Sequence, residues 1–382
     1  MKIPTLAFNK NFAANRSLLL IILLANGVGA STATPAFGGS GGFNTTGSLN
    51  VARYGHTATL LTNGEVIVVG GVNDSTGYLS SAELYNPSTG KWTLTGSMTV
   101  PRYGHNAVLL QDGRVLVAGG LNASTYQGPA LASAELYNPS TGTWTPTGTM
   151  ITGRESFDLT LLPNGEVLAA GGFNNGALTS AELYSPATGT WTATGNMTAG
   201  TISEAAVLLQ NGEVFAASVN LYHPSTGTWT TTSSLTSGGS PPVVLLPNGN
   251  VFTGGNIQGD GLYNPSTNQW TSFPPPPCTK GGQSSQNCQS AGALLNTGRV
   301  LVAGGVTYVN AQPYPIEETN GLAALFDPST LTWTTTGSMN KSRLGETMTV
   351  LLNGQVLVAG GETFDKHLGH LVPIASAELY MP

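Results

Sequence analysis

The chain has 382 residues, of which 40% are hydrophobic and only 8% are charged, and its formal net charge is −6. The apolar content excludes a disordered polymer, and the acidic balance excludes the basic surface that nucleic-acid binding requires. A chain of this length holds either two or three average domains or one large all-β unit.

The N-terminus indicates an export signal. Basic residues precede an apolar run at 18–30 that ends in small residues. The run is short for a bilayer span and has the end of a cleavage site, although an uncleaved membrane anchor is the alternative. We therefore predict a signal peptide at residues 1–30 and a Gly/Ser/Thr-rich linker at 31–42. The mature protein is expected to be secreted, extracellular or periplasmic, without a membrane span.

A short sequence motif then recurs seven times. In each copy a dipeptide ending in Gly lies between two aliphatic runs, as Asn63-Gly64 lies between HTATLL and EVIVVGG. Asn-Gly and Asp-Gly supply the positive φ angles of a type I′ turn, so each copy is predicted to open with a β-hairpin. The dipeptides begin at Asn63, Asp112, Asn164, Asn211, Asn248, Thr297 and Asn353.

Each copy continues with a variable loop, the phrase SAELYNPSTG or a relative of it, and a last segment headed by Trp. The loop usually follows a Gly-Gly pair, and the proline of the phrase sets φ for a turn. We therefore predict four antiparallel strands in each copy, here named A to D. The six tryptophans share the first position of segment D, at Trp92, Trp144, Trp191, Trp229, Trp270 and Trp333.

Seven stacked four-stranded copies predict an all-β, seven-bladed β-propeller over residues 43–382. An open solenoid is the alternative, but it requires polar capping repeats, which the sequence lacks. The seventh copy stops at SAELYMP without segment D, whereas FNTTGSL at 43–49 aligns with WTLTGSM at 92–98. We expect strand 43–49 to complete the last blade and close the ring, with Phe43 in the Trp position.

The joint pattern RxGH, (N/D)GxVxVxGG and AExYNPxTGxW resembles a kelch repeat, as found in kelch and galactose-oxidase-type propellers. It covers essentially all of residues 43–382 and is specific for the fold. It is weak evidence for function, because such propellers include adaptors, carbohydrate-active enzymes and secreted proteins of other kinds.

In kelch adaptors that resemble this chain, arginines before strand A surround the channel mouth and bind acidic ligands. The resemblance implies this role for four arginines, whose guanidinium groups suit carboxylates or polar sugars. The alternative is that they form ion pairs or carbonyl contacts that tie neighbouring blades together. These residues are Arg53, Arg102, Arg154 and Arg343.

Residues that recur in equivalent places of several copies are expected to build the ring. This applies to His56 and His105 in RYGH and to the glutamates of the AE dipeptides. A structural role is therefore predicted for all of them, and for the glutamates this role is hydrogen bonding between strands or blades. The glutamates are Glu83, Glu135, Glu182 and Glu378.

The long B–C loops of blades two, six and seven interrupt the repeat, and loops of this kind carry the function of many propellers. The blade-six loop contains Tyr308, Tyr314 and Glu317, and the blade-seven loop contains His367 and His370. We expect these residues to contribute to a ligand site at the mouth. The HLGH sequence has metal-binding residue types, but no helix aligns the two imidazoles, so no metal or other cofactor is predicted.

The only cysteines, Cys278 and Cys288, form an even pair that favours a disulfide in an exported chain, with two free thiols as the alternative. The copper site of galactose-oxidase-type enzymes needs a Cys cross-linked to a Tyr, a second Tyr and two His. No Cys lies on a predicted blade strand. The sequence therefore predicts a monomeric, non-catalytic binding module for protein segments or glycans. A galactose-oxidase-like or other carbohydrate-active enzyme is the alternative.

Overall fold

The structure is a computed structural model. Within the described ranges the chain has no helix long and apolar enough to cross a membrane. The predicted signal segment and most of the linker lie outside these ranges. The described residues are 41–122, 129–200, 206–216, 220–233, 242–254, 261–277, 279–280, 283–284, 291–309 and 316–382.

Seven antiparallel sheets of four strands make up the fold, and each is one blade. The first strand of the described residues is β1 (Gly42–Thr45). Blade one contains β2 (Thr57–Leu60), β3 (Val66–Val69), the loop hairpin β4 (Val72–Asn73) and β5 (Gly77–Tyr78), and then β6 (Ala82–Asn86) and β7 (Lys91–Leu94). Blade two contains β8 (Asn106–Leu109), β9 (Val115–Ala118), β10 (Ala134–Asn138) and β11 (Thr143–Thr147). Blade three contains β12 (Asp158–Leu161), β13 (Val167–Ala170), β14 (Ala181–Ser185) and β15 (Thr190–Ala193).

The next three blades repeat the same arrangement. Blade four contains β16 (Ala206–Leu208), β17 (Val214–Ala216), β18 (Asn220–His223) and β19 (Thr228–Thr231). Blade five contains β20 (Val243–Leu245), β21 (Val251–Thr253), β22 (Gly261–Asn264) and β23 (Gln269–Ser272), and the short strands β24 (Thr279–Lys280) and β25 (Gln283–Ser284) follow it. Blade six contains β26 (Ala291–Leu294), β27 (Val300–Ala303), the loop hairpin β28 (Val306–Val309) and β29 (Ile316–Thr319), and then β30 (Ala323–Asp327) and β31 (Thr332–Thr335).

Blade seven takes its strands from both ends of the described chain. It contains β32 (Thr347–Val350), β33 (Val356–Ala359), the loop hairpin β34 (Glu362–Asp365) and β35 (His370–Pro373), and β36 (Ala377–Met381), with β1 as its outermost strand. Phe43 pairs in register with Tyr380, as Trp92 pairs with Tyr85 in blade one. The innermost strand β32 contacts β2, which closes the ring. The predicted propeller and its closure are confirmed, although strand β1 ends at Thr45.

The hairpin between strands A and B differs from the predicted type I′ turn. In blade one the Gly64 amide donates to the Leu61 carbonyl (3.0 Å) and the Leu61 amide donates to the Glu65 carbonyl (2.8 Å). Of the predicted dipeptide only Gly64 has a positive φ, at 86°. This is a type I turn followed by a glycine bulge, in which Asn63 keeps ordinary backbone angles. The hairpin prediction is confirmed, and the turn type was wrong.

Each of the seven interfaces between neighbouring blades holds one cluster of buried side chains. Between blades two and three, Leu116 and Ala118 join Val167 and Tyr184 in such a cluster. Removal of this apolar surface from water is the main force that holds the blades in a ring.

The tryptophans add one polar contact at each interface that they occupy. Trp92 Nε1 donates to the Gly47 carbonyl (2.8 Å), which follows the outer strand of blade seven. In every case the acceptor carbonyl lies just after the outermost strand of the preceding blade, so each bond joins two neighbouring blades. The other donors are Trp144, Trp191, Trp229, Trp270 and Trp333.

Candidate functional site

The four arginines predicted to line the channel mouth lie inside the blades instead. Arg102 is typical: its Nη1 donates to the carbonyls of Gly119 (3.0 Å) and Ser133 (2.8 Å), and its Nη2 donates to Glu135 (3.1 Å). All four arginines are 0% exposed. Their guanidinium groups therefore have no contact surface for a ligand in this structure. The other three arginines form the equivalent ion pairs Arg53–Glu83 (2.9 Å), Arg154–Glu182 (2.7 Å) and Arg343–Glu378 (2.7 Å).

Each ion pair fixes the segment that connects two blades. In blade one, Glu83 accepts hydrogen bonds from the amides of Asn50 (2.7 Å) and Val51 (3.0 Å) as well as from Arg53. The Arg53 carbonyl accepts a bond from the Gly361 amide of blade seven (2.9 Å). Burial lowers the pKa of Arg53, and the charge and hydrogen bond of Glu83 partly restore it. This geometry matches the structural alternative for the arginines and the structural role predicted for the glutamates.

The arginine and glutamate are present or absent together. Blades one, two, three and seven have both residues. In blades four, five and six the glutamate position, two residues before the Tyr or Phe of strand C, is occupied by Asn220, Gly261 and Ala324. The chain has no arginine between Arg154 and Arg299, and Arg299 belongs to an A–B hairpin. Replacing the arginine and the glutamate together costs less stability than replacing one of them, because a single replacement leaves an uncompensated buried charge.

His56 and His105, for which a structural role was predicted, lie between blades. His56 Nε2 is 3.2 Å from Thr347 Oγ1 of blade seven, and His105 Nε2 is 3.0 Å from Thr57 Oγ1 of blade one. Both imidazoles are 2% exposed. Gly360 makes room for the ring of His56, since a β-carbon there would lie 2.6 Å from its Cε1 atom.

Three tyrosines that the sequence analysis did not single out meet at the face formed by the D–A and B–C loops. The ring centroids of Tyr54 and Tyr103 are 5.9 Å apart, with their planes at 72°. Tyr78, on β5, lies 6.1 Å from Tyr103 with planes at 80°. All three side chains are half-buried. We call them the tyrosine patch.

Carboxylates from three blades flank the patch. Glu362 begins β34 in blade seven, Asp74 lies in the loop hairpin of blade one, and Glu155 precedes strand A of blade three. Burial raises the pKa of Tyr54, and the negative charges of Glu362 and Asp74 raise it further. Burial and Glu155 raise the pKa of Tyr78 in the same way. The phenols of Tyr54 and Tyr78 therefore stay protonated at neutral pH.

Backbone contacts hold the tyrosine patch in place. The Tyr54 amide donates to the Val72 carbonyl (3.1 Å), and the Tyr103 amide donates to Leu121 (2.9 Å), so both residues are fixed to the first residues of their B–C loops. The ring of Tyr103 lies against Gly55, which has a φ of 59°. The signal for these tyrosines was in the sequence, since two of them follow the arginine of RYGH.

The long loops of blades six and seven meet at one side of the same face. Their hairpins, β28–β29 and β34–β35, lie side by side. The Phe364 amide donates to Thr319 Oγ1 (3.1 Å), which also lies 3.4 Å from Thr363 Oγ1. Tyr308 and Glu317 are register partners in the blade-six hairpin.

His367 and His370 lie at the exposed turn of the blade-seven hairpin. Asp365 Oδ1 accepts hydrogen bonds from the amides of Leu368 (3.1 Å) and His367 (2.8 Å), and these bonds lower the pKa of Asp365. His370 Nδ1 is 2.9 Å from the Leu371 carbonyl. The segment therefore has the geometry of a turn stabilised by Asp365.

Three residues of the sequence predictions lie outside the described ranges. They are Tyr314 of the blade-six loop and the two cysteines, Cys278 and Cys288. The contribution of Tyr314 to a ligand site and the disulfide between the cysteines stay predictions.

The copper site implied by the galactose-oxidase resemblance does not fit the residues that the structure describes. Among the described residues, no group of three or more His, Cys, Asp or Glu side chains is placed to hold a metal ion. All five histidines are described, and they lie in separate places. Two lie between blades, two lie at the blade-seven turn, and His223 contacts Glu213 (2.6 Å) next to the A–B hairpin of blade four.

Comparison with known proteins agrees with this architecture. Residues 42–215 match the family model described as the KLHDC2/KLHL20/DRC7 Kelch-repeats domain. A fungal alcohol oxidase of the AA5 family, solved in complex with copper, has a TM-score of 0.65 at 17% identity, over 90% of this chain and 77% of that chain. YjhT has a TM-score of 0.52 at 16% identity, over 87% of this chain and 96% of that chain. No curated protein matches the sequence.

Proposed function

We propose that this chain, a seven-bladed kelch-repeat propeller, is a non-catalytic binding module that holds a protein segment or a glycan at the mouth of its channel. The tyrosine patch and its flanking carboxylates carry this proposal. They lie on one face and come from blades seven, one, two and three, the same four blades that contain the Arg–Glu pairs.

Tyrosine suits this role because it combines a large apolar surface with a polar hydroxyl at low cost in conformational entropy. Tyr54 and Tyr103 are fixed at the backbone, and their rings pack on each other. The patch is therefore ordered before a ligand arrives, which lowers the entropy lost on binding. The loop hairpins of blades six and seven add a wall at one side of the mouth.

We further propose that the protein acts outside the cytoplasm, as a secreted, extracellular or periplasmic monomer. The basic and apolar N-terminal segment supports export. The cysteine pair is compatible with the oxidising conditions of such a compartment.

A screen of glycans and peptides against the wild-type protein and the Tyr103→Ala variant tests this function. We expect at least one class to bind, and we expect Tyr103→Ala to weaken its Kd about tenfold, or ~1.4 kcal/mol. Arg114→Ala is the matched control, because Arg114 is half-exposed in an A–B hairpin on the opposite face. The proposal fails if nothing binds, or if a correctly folded Tyr103→Ala variant binds as tightly as wild type.

A further inference from the structure

Two polar contacts recur at five of the seven interfaces between blades, near the outer edge of the ring. Between blades one and two, the Gly96 amide donates to the Gly142 carbonyl (3.1 Å), and the hydroxyl oxygens of Thr95 and Tyr137 lie 2.8 Å apart. The equivalent glycine pairs and Thr–Tyr pairs occur between blades seven and one, two and three, three and four, and six and seven. Hydrogen bonds are directional, so each of these contacts fixes the position of one blade against the next.

A third contact at the same five interfaces comes from strand C. Glu135 of blade two accepts a hydrogen bond from the amide of Thr99 (2.7 Å), in the segment that arrives from blade one. The other three glutamates of the Arg–Glu pairs accept equivalent bonds. Between blades three and four Asn220 takes this place, with the Thr198 amide as its donor (3.3 Å).

The interface between blades five and six lacks all three contacts among its described residues, because the residue types there cannot form them. Pro274 takes the place of the glycine that donates, and it has no N–H. Phe273 and Phe326 take the places of the Thr and the Tyr, and Ala324 takes the place of the glutamate. At the described outer edge of this interface, the bond from Trp333 Nε1 to the Pro274 carbonyl (2.8 Å) is the polar contact that remains.

Apolar packing at this interface does not compensate for the missing contacts. Aromatic rings from both blades meet there, and the centroids of Phe273 and Phe326 are 4.2 Å apart. The cluster of buried apolar side chains has eight members, as many as the cluster between blades one and two, where all three polar contacts are present as well. The innermost strands β20 and β26 contain only Val, Leu, Ala and Gly, and they make the smallest contact of the seven neighbouring pairs of innermost strands.

The interface between blades four and five is intermediate. It lacks the carboxylate of strand C, because Gly261 takes that place. However, Asn268 Oδ1 of blade five accepts a hydrogen bond from the Ser233 amide of blade four (2.8 Å) and another from the Tyr263 hydroxyl (3.1 Å). A directional contact across the outer edge therefore persists between these two blades.

We infer that the ring opens and recloses between blades five and six, while the other six interfaces stay closed and the sheets stay folded. Separation of two blades at one interface widens the channel without unfolding a blade. Such a local opening has a smaller free energy than global unfolding, and it occurs where the fewest contacts resist it. The inference does not rest on the proposed function.

Seven equivalent valines provide a matched test in the full chain. Each is the first residue of strand B, is 0% exposed and belongs to the apolar cluster of a different interface. Each is replaced in turn by Cys, and its labelling by an aromatic disulfide reagent is followed under native conditions. Mass spectrometry of the peptide that contains the new thiol gives the rate, so Cys278 and Cys288 do not contribute. The valines are Val66, Val115, Val167, Val214, Val251, Val300 and Val356.

We expect Val300→Cys, between blades five and six, to be labelled at least about tenfold faster than the other six variants, which corresponds to ~1.4 kcal/mol. Its rate should change little at low denaturant concentrations, because a local opening exposes little surface. If Val300→Cys does not fold, as judged by circular dichroism, Val302→Cys in the same cluster replaces it, with Val117→Cys as its equivalent between blades one and two.

A second comparison tests whether the polar contacts keep the other interfaces closed. Thr95→Val/Tyr137→Phe removes the hydroxyl pair between blades one and two, and it should speed the labelling of Val115→Cys several-fold. An unchanged rate in that folded variant would overturn the inference. Equal labelling rates at all seven positions, or fastest labelling at any other interface, would overturn it as well.

Discussion

Phe43 lies directly opposite Tyr380, with ring centroids 5.0 Å apart, and this contact joins β1 to β36. In blade one the same place is taken by Trp92 and Tyr85, whose centroids are also 5.0 Å apart. Blade seven is therefore completed by the same kind of aromatic pair as the other blades. It differs only in lacking the indole N–H that the six tryptophans donate to the preceding blade.

Phe43→Trp should strengthen ring closure. Its indole is placed to donate to the Gly337 carbonyl, the equivalent of Gly47, and a hydrogen bond of this kind adds ~0.5–1.5 kcal/mol to the free energy of unfolding. Phe43→Ala should lower that free energy by ~3–5 kcal/mol through loss of a buried ring. Urea unfolding of the three proteins measures both changes. A Trp variant less stable than wild type would show that the pocket cannot hold the larger ring.

Arg102 and Glu135 should be strongly coupled. Either Arg102→Met or Glu135→Met alone leaves a buried charge without its partner and should cost ~3–5 kcal/mol. The double variant should lose much less than the sum of the two, because it copies the joint absence seen in blades four to six. Arg114→Met, at a half-exposed pair with Asp112, serves as control and should cost below ~1 kcal/mol. Additive losses in the double-mutant cycle would contradict the coupling.

Stability should fall in acid through Glu378. Burial raises the pKa of Glu378, but hydrogen bonds from Asn340 and Lys341 and the charge of Arg343 bring it below the ordinary value of 4.5. A carboxyl group with a lowered folded pKa adds stability that is present above its unfolded pKa and is lost as the pH falls through the folded pKa. We therefore expect its contribution to be lost progressively below pH 4.5.

The variant Arg343→Met/Glu378→Met isolates this contribution. Its free energy of unfolding should depend less on pH in the acidic range than that of wild type, while the two curves run parallel near neutrality. Denaturant unfolding at a series of pH values measures the difference. Parallel curves over the whole acidic range would contradict the assignment to Glu378.

Gly55 and Gly345 occupy equivalent positions in blades one and seven, with φ of 59° and 68°. A β-carbon at Gly345 meets nothing within 4 Å, whereas one at Gly55 collides with the ring of Tyr103. Gly345→Ala should therefore cost only the backbone strain, ~1–2 kcal/mol. Gly55→Ala should cost more and should also weaken ligand binding, because it displaces Tyr103.

Thermal unfolding and binding of a ligand found in the screen of glycans and peptides measure these two effects. Equal destabilisation by the two alanine variants, with unchanged binding in both, would mean that the Tyr103 ring moves aside without consequence.

The fold was predictable because the same residue type at the equivalent position of each repeat indicates the equivalent structural position in each blade. Trp92 and its equivalents located strand D, and the alignment of Phe43 with Trp92 predicted the closure. The turn type was not predictable from Asn63-Gly64, since both kinds of hairpin need Gly at a positive φ. Tyr54 and Tyr103 could have been found from the recurring RYGH. The meeting of Tyr78 with Tyr103 was not predictable, because it depends on the course of a variable loop.

The arginines show a second limit of sequence patterns. Position alone placed Arg53 where the chain enters the innermost strand, and this was correct. Whether its side chain points to the mouth or into the sheet depends on Glu83, which lies in another strand and reaches the same point only after folding. A charged residue near a mouth therefore predicts a ligand contact only if no partner inside the blade can bind it.

The pairing of β1 with β36 also sets the order in which the chain can fold. Roughly 330 residues separate these strands, so β1 remains without its partner until the last blade has been made. Contacts between such distant segments form slowly, and the open strand edge is exposed to aggregation meanwhile. A circular permutant with residues 41–50 placed after Pro382 makes the closure local. We expect it to refold faster at similar stability, as stopped-flow fluorescence can measure. The pairing of β1 with β36 that completes the ring therefore also limits how fast the ring forms.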